Sequence, residues 1–191
     1  MGEAAPGRLR ARGALASCPT WLPFAVAFVV FALDQISKWV IKTRLSTWDT
    51  VHVIPGFFNI VHAENRGVAF GFLAASSGAV RGIVLVGVAA AVLVYVTVLL
   101  WTGRTRENTL LTMALALVLG GAMGNLYDRL ARGTVTDFIE VYAGDHYFPA
   151  FNVADSAISI GGALLVLDML RSRGPKHGLE ADDVSQAHLN R

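Results

Sequence analysis

Four stretches of this chain are apolar for long enough to cross a bilayer, and that narrows the available folds more than any single motif. A helix needs about 20 mostly apolar residues to span the hydrocarbon. Trp21–Ile41, Ile83–Trp101, Thr109–Tyr127 and Val153–Leu170 each qualify, and the second contains no charged residue. In lipid the backbone must satisfy its own hydrogen bonds, so each stretch is predicted to be α-helical. The charged fraction, 16%, is well below that of a soluble domain, and the mean hydropathy is +0.52. The expectation is a polytopic α-helical membrane protein with four transmembrane helices. One domain is expected over residues 19–173, between a disordered cytoplasmic tail at 1–18 and a polar cytoplasmic tail at 174–191.

Orientation follows from lysine and arginine near the spans. Arg8, Arg10 and Arg12, then Arg104 and Arg106, then Arg171, Arg173 and Lys176 fall on one side of a four-span protein. That side is read as cytoplasmic, with both termini on it. The 1–2 and 3–4 connectors then face outward. In this topology the unusual polar residues reach one level. Asp34 and Lys38 lie in the outer half of the first span. Asn125, Asp128 and Arg129 close the third, and Asn152 and Asp155 open the fourth. Ionisable groups beside membrane-length apolar runs are costly and mark a functional site by default.

Each of these residues also has a plainer reading. Asp34 and Lys38, four apart on one helix face, can form a local ion pair that eases insertion, with Lys38 snorkelling to the interface. Asn65 and Gly67 can be turn formers in Glu64-Asn65-Arg66-Gly67. Gly120, Gly121 and Gly124 suit close helix approach. Asp128 and Arg129 can be a helix-end pair, or a partly desolvated scaffold for a neighbouring site. Asn152 and Asp155 have the spacing of an N-cap and N3 capping box, and a helix N-terminus favours an ionised Asp155. Asp137, inside the strand-like Thr134–Ile139 segment, has no ready explanation as a solubility residue.

The 1–2 connector is expected to carry a small antiparallel sheet, an extracytoplasmic cradle at about residues 44–80. Val51-His52-Val53-Ile54 and Phe57–His62 are strand-like about Pro55-Gly56. Val68-Ala69-Phe70 follows, then a short interfacial helix from Phe72 to Val80. Trp48, Phe57, Phe58, Phe70 and Phe72 suit the membrane interface. His52, His62, His146, His177 and His188 lack ligand spacing and read as surface or interface residues. Cys18 is the lone cysteine, so no disulfide framework or multi-cysteine metal site is expected. Leu15-Ala16-Ser17-Cys18 looks like a lipoprotein cleavage box. Only Gly13 and Ala14 separate Arg12 from Leu15, too few for an h-region, so the match is read as chance. No basic stripe suggests nucleic acid.

Two carboxylates remain for chemistry, with no serine–histidine arrangement and no HExxH metal set. Close carboxylates share one proton over a wide pH range. The ionised member deprotonates water, and the protonated member polarises a carbonyl. The helix-dipole argument favours Asp155 as the base and Asp137 as the acid.

Five runs carry a resemblance: Asp34 with Lys38, Asn65-Arg66-Gly67-Val68-Ala69-Phe70, Gly124–Arg129, Val135-Thr136-Asp137-Phe138 and Phe151-Asn152-Val153-Ala154-Asp155. In this order, over roughly Trp21 to Arg171, they are similar to the signatures of bacterial lipoprotein signal peptidase, the type II signal peptidase. The resemblance implies an aspartic endopeptidase of the bacterial inner membrane with its active site at the extracytoplasmic face. Its substrates would be lipid-modified prolipoproteins held in membrane lipid, cut just before the diacylglyceryl cysteine. Asp137 and Asp155 would be the catalytic dyad. Asn65, Asn125, Asp128, Arg129 and Asn152 would line or brace the site, with Asp34, Lys38, Gly67 and Ala154 in support. It further implies inhibition by globomycin-type cyclic peptides. No cofactor or metal is expected, and a monomer is. Two other classes fit four spans. A proton-coupled transporter would spread its carboxylates through the membrane depth and show repeat symmetry. A lipoprotein chaperone would use the same groove without cutting.

Overall fold

In a computed structural model, residues 18–67 and 78–172 are described. The elements are α1 (Leu22–Arg44), β1 (Thr50–Ile54), β2 (Phe58–Asn65), α2 (Gly78–Trp101), α3 (Thr109–Arg132), β3 (Val135–Ala143), β4 (His146–Tyr147) and α4 (Val153–Ser172). All four helices are long and apolar enough to cross a membrane. Their order matches the four expected spans, but all four run further at one end than hydropathy indicated. α3 continues a turn past Tyr127 and stops at Gly133, whose φ of 75° is the left-handed cap and whose N–H reaches Arg129 O at 3.1 Å. Asp128, Arg129 and Arg132 are therefore helical residues.

α3 is the axis of the bundle and packs against the other three helices. Two of its glycines let its neighbours come close. A Cβ built on Gly120 would lie 2.5 Å from Ala27 O of α1, and one on Gly121 would lie 2.4 Å from Ala154 O of α4. Gly162, on the same helix as Ala154, has nothing within 4 Å of an added Cβ. Alanine at these two glycines is therefore expected to act in opposite directions. Gly121→Ala overpacks a backbone contact and should lower stability by about 1–3 kcal/mol. Gly162→Ala should raise it by up to about 1 kcal/mol through helix propensity. Thermal unfolding of the two purified variants in detergent checks this, and melting shifts of one sign would contradict the α3–α4 contact.

α2 joins the bundle at one end. Val96 and Leu100 bury against Ala27, Leu115 and Leu119. Its other half lines a cleft of about 450 Å³, where Val84, Leu85, Val88, Ala89 and Val92 face Val118, Ala122 and Ile158. That cleft is lined also by Asn125, Arg129 and Asp155.

The sheet has the antiparallel order β1-β2-β3-β4. β1 and β2 fall where expected, but the cradle extends beyond residues 44–80. The 3–4 connector supplies β3, paired to β2 with Ala63 opposite Asp137 and Asn65 opposite Val135. Pairing between segments some 70 residues apart leaves no local trace, and β3 has no alternation to read, because Val135–Phe138 are buried on both faces. Asn65 ends β2, and its side chain also closes the turn that follows, accepting from Gly67 N at 2.7 Å. Phe151 ties the sheet to the start of α4: its N–H donates to Ile139 O at 3.0 Å and its carbonyl accepts from Phe138 N at 3.0 Å. The expected Val68–Phe70 segment and residues 72–77 of the expected interfacial helix lie outside the described residues, as do Phe70, Phe72, His177, His188, residues 1–17 of the predicted N-terminal tail and the predicted C-terminal tail. Cys18, assigned to the disordered tail, is instead buried, and its N–H donates to Arg106 O at 3.3 Å. Residues 78–80 begin α2 itself. Trp48 and Phe57 are exposed, as interface aromatics should be.

Candidate active site

Where α1, α3 and α4 meet below the sheet, a charged cluster is buried among apolar helices. Lys38 Nζ lies 2.8 Å from Asp34 Oδ2 and 2.7 Å from Asp128 Oδ2, and all three side chains are fully buried. It also donates to Asn125 Oδ1 at 3.2 Å. The local Asp34–Lys38 pair exists, but Lys38 does not snorkel, because a second carboxylate and an amide hold it inside. Arg132 contacts the other oxygen of Asp128. Gln35 donates to Asp34 Oδ2 at 3.1 Å and to Asp128 Oδ1 at 3.4 Å. The expected pairing of Asp128 with Arg129 is corrected: its arginine partner is Arg132. Adjacent helical residues point about 100° apart, whereas residues four apart share a face. Arg129 instead donates to Asn125 O at 3.2 Å and faces the cavity described below.

Asp34 also reaches the fourth helix. Its Oδ1 accepts from Ala154 N at 3.0 Å, satisfying one of the free N–H groups of α4. Gly124 allows this approach, since a Cβ there would lie 2.4 Å from Asp34 Oδ2.

The start of α4 carries the capping box that the spacing of Asn152 and Asp155 implied. Asn152 Oδ1 accepts from Asp155 N at 2.9 Å, and Asp155 Oδ2 accepts from Asn152 N at 3.3 Å. Asn152 is fully buried, and its amide turns away from the helix to donate to Asp137 Oδ1 at 2.7 Å. Asn65 Nδ2 donates to Asp137 Oδ2 at 3.0 Å. Asn125 Nδ2 donates to Asp155 Oδ1 at 2.7 Å, and its Oδ1 accepts from Asn152 Nδ2 at 3.3 Å. Three asparagines thus orient two carboxylates. Gly67 keeps a turn role, with φ of +84° and its N–H donating to Asn65 Oδ1 at 2.7 Å. That bond directs the Asn65 amide nitrogen at Asp137, so turn and site are one feature.

Asp137 and Asp155 open onto one cavity of about 630 Å³, walled by Phe148, Phe151, Leu85 and Ile160, with Arg129 and Asn65 on its rim. Burial pushes the Asp137 carboxyl up, the Asn65 hydrogen bond pulls it down, the neighbouring Asp155 pushes it up again and Asn152 pulls it down; the net is about 6. Asp34, Lys38 and Ala154 lie behind this wall and do not line the cavity. Among the described residues no three His, Cys, Asp or Glu side chains are grouped to hold a metal ion.

Sequence reasoning missed Gln35, Arg132 and a second cluster under the sheet. Glu64 accepts from Thr134 Oγ1 at 2.5 Å and Thr136 Oγ1 at 3.1 Å, and lies 3.5 Å from Lys42 Nζ. His62 Nε2 lies 3.2 Å from the same carboxylate, and its Nδ1 lies 2.9 Å from Leu45 O. His62 is thus buried, not a surface residue. Burial would raise the Glu64 carboxyl, but hydrogen bonds from Thr134 and His62 hold it below its ordinary value. The period of two that sets His62 and Glu64 on one strand face was the available signal.

Residues 26–171 match the family described as Signal peptidase (SPase) II. A lipoprotein signal peptidase of Solibacter usitatus is 46% identical over 80% of this chain and 93% of its own. One from Pseudomonas aeruginosa is 47% identical over 80% of this chain and 89% of its own. A bacterial membrane enzyme structure obtained by the in meso method at 2.3 Å resolution superposes with a TM-score of 0.72 at 30% identity, covering 84% of this chain and 94% of the other. The bundle, the cradle and these likenesses agree, and the chain belongs to the signal peptidase II family of bacterial multi-pass membrane proteases.

Proposed function

We propose that this protein removes the signal peptide of lipid-modified prolipoproteins immediately before the diacylglyceryl cysteine, by water activation between Asp137 and Asp155. The observation that carries the reading is the pair of carboxylates on one cavity, oriented through Asn152. Asp155, at the positive end of α4, is the ionised member. Asp137, buried under the sheet, holds the shared proton. Asp155 takes a proton from water as its oxygen attacks the scissile carbonyl, and Asp137 gives its proton to the carbonyl oxygen. The resulting gem-diol collapses: Asp155 passes its proton to the leaving nitrogen, the C–N bond breaks, and a hydroxyl proton returns to Asp137. The products are a carboxylic acid and the free amine of the cysteine, with one water consumed.

The cavity suits this substrate class. Its apolar walls continue into the cleft between α2, α3 and α4, which shares Leu85, Arg129 and Asp155 with it. Acyl chains can then stay in lipid while the scissile bond meets water at the sheet end. Termini on the cytoplasmic side, a site at the extracytoplasmic face, a monomeric enzyme and occupancy by globomycin-type cyclic peptides complete the proposal.

The test is cleavage of lipidated and unlipidated precursor by the purified protein across pH. Only the lipidated form is expected to be cut. With Asp137 as the acid, kcat/KM should fall as pH rises through about 6. The kcat limb should lie higher, because bound substrate excludes water from the carboxyl. A rate that climbs through the same range would exchange the roles of the two aspartates. Equal cleavage of both precursors would contradict the substrate class.

A further inference from the structure

We infer that Ser159 is a substrate-binding residue whose hydroxyl donates to the precursor's backbone carbonyl two residues before the residue that bears the scissile carbonyl. The inference rests on the peptidase reading and deepens it. Ser159 lines the cavity one helical turn beyond Asp155, on the same face of α4. Its neighbour Ser156 has its hydroxyl occupied, donating to Asn152 O at 2.9 Å. Ser159 is exposed and has no hydrogen-bond partner among the described residues, not even the carbonyl one turn back that helical serines commonly use. A hydroxyl left open toward an apolar cavity at membrane depth carries a desolvation penalty unless a ligand completes it. Beyond Ser156 along α4, the cavity is lined by Ser159 and Ile160, and of these two side chains only Ser159 is a donor.

The substrate creates the matching need. A peptide is cut in an extended conformation, and an extended strand within the hydrocarbon region exposes backbone groups that must find partners. Geometry selects which one. Asp155 and Ser159 are separated by about 6 Å along the α4 axis. Two residues of extended chain span about 6.6 Å, and carbonyls two apart point the same way. With the scissile carbonyl at Asp155, the carbonyl two residues upstream falls at Ser159. A signal peptide's cleavage site lies at its outer end, so upstream residues run deeper along the span, the direction in which Ser159 lies.

Ser159→Ala is expected to raise KM for lipidated precursor about five- to tenfold with kcat within about twofold, the signature of a lost neutral hydrogen bond made equally in ground and transition states. Ser159→Thr should restore most of the loss. Because a general packing defect could also raise KM, a second substrate isolates the bond. In a synthetic lipidated precursor, an α-hydroxy acid replaces the residue just before the scissile one. The linkage carrying the upstream carbonyl becomes an ester, a weaker acceptor. The parent should lose several-fold on this substrate, and Ser159→Ala should lose less. Equal losses, or a Ser159→Ala enzyme as fast as the parent on the amide precursor, would overturn the inference and leave the peptidase reading intact. Failure of the parent to cut any lipidated precursor would overturn both.

Discussion

With Asp155 replaced by asparagine, the protein is expected to insert and fold like the parent and to cut lipidated precursor about 10²–10⁴-fold more slowly. The two outcomes separate because the side chain has two jobs of different chemistry. As the N3 residue of the capping box, Asp155 accepts from Asn152 N at 3.3 Å, a bond an asparagine oxygen can still accept, while the bond its other oxygen accepts from Asn125 Nδ2 at 2.7 Å is lost. The lost charge at the helix N-terminus costs about 0.3–1 kcal/mol. As the base, however, it must take a proton from water, and an amide cannot. Asp137→Asn should be equally inactive because an amide neither gives nor recovers the proton that the collapsing intermediate requires. Melting curves and precursor gels on the same preparations measure both quantities. Retained processing by either variant would end the dyad assignment, and an unfolded variant would show that the cap matters more than its geometry suggests.

How far residues could be read in advance depended on whether their partners were local. Asn152 and Asp155 are three apart, so their capping box was visible in the sequence. The four spans were visible because hydropathy reports what faces lipid. Their ends were less so. Asp128, Arg129 and Arg132 are polar yet helical, since the backbone ladder continues until Gly133 lets it turn. The assignment of Asp128 to Arg129 failed on rotational phase, which adjacency in sequence conceals. Lys38 shows the harder limit. Asp34 is one turn away on its own helix, but Asp128 comes from another helix, and only the packing allowed by Gly120, Gly121 and Gly124 brings it to 2.7 Å. The same holds for β3, whose partner is β2, and for Glu64, which gathers groups from α1, β2 and β3.

Lys38→Met is expected to destabilise the folded protein by about 3–5 kcal/mol, a large part of the stability of a typical domain. Methionine approximates the stem and removes the ammonium. What remains is two fully buried carboxylates, Asp34 and Asp128, that had shared one cation. Arg132 cannot replace it, because its contact is with the far oxygen of Asp128 and its side chain is partly exposed. The cost is therefore that of uncompensated charge in an apolar surround, not that of one lost hydrogen bond. Activity should fall as well. Asp34 holds Ala154 N at 3.0 Å and Lys38 holds Asn125, whose amide orients Asp155. A second substitution tests the cause. If orphaned charge is the defect, Lys38→Met combined with Asp128→Asn should melt above Lys38→Met alone, a non-additivity that independent packing defects would not produce. Thermal unfolding of the parent, both single variants and the double variant gives the coupling directly. A Lys38→Met protein as stable as the parent would mean that this buried pair carries no more weight than a surface one.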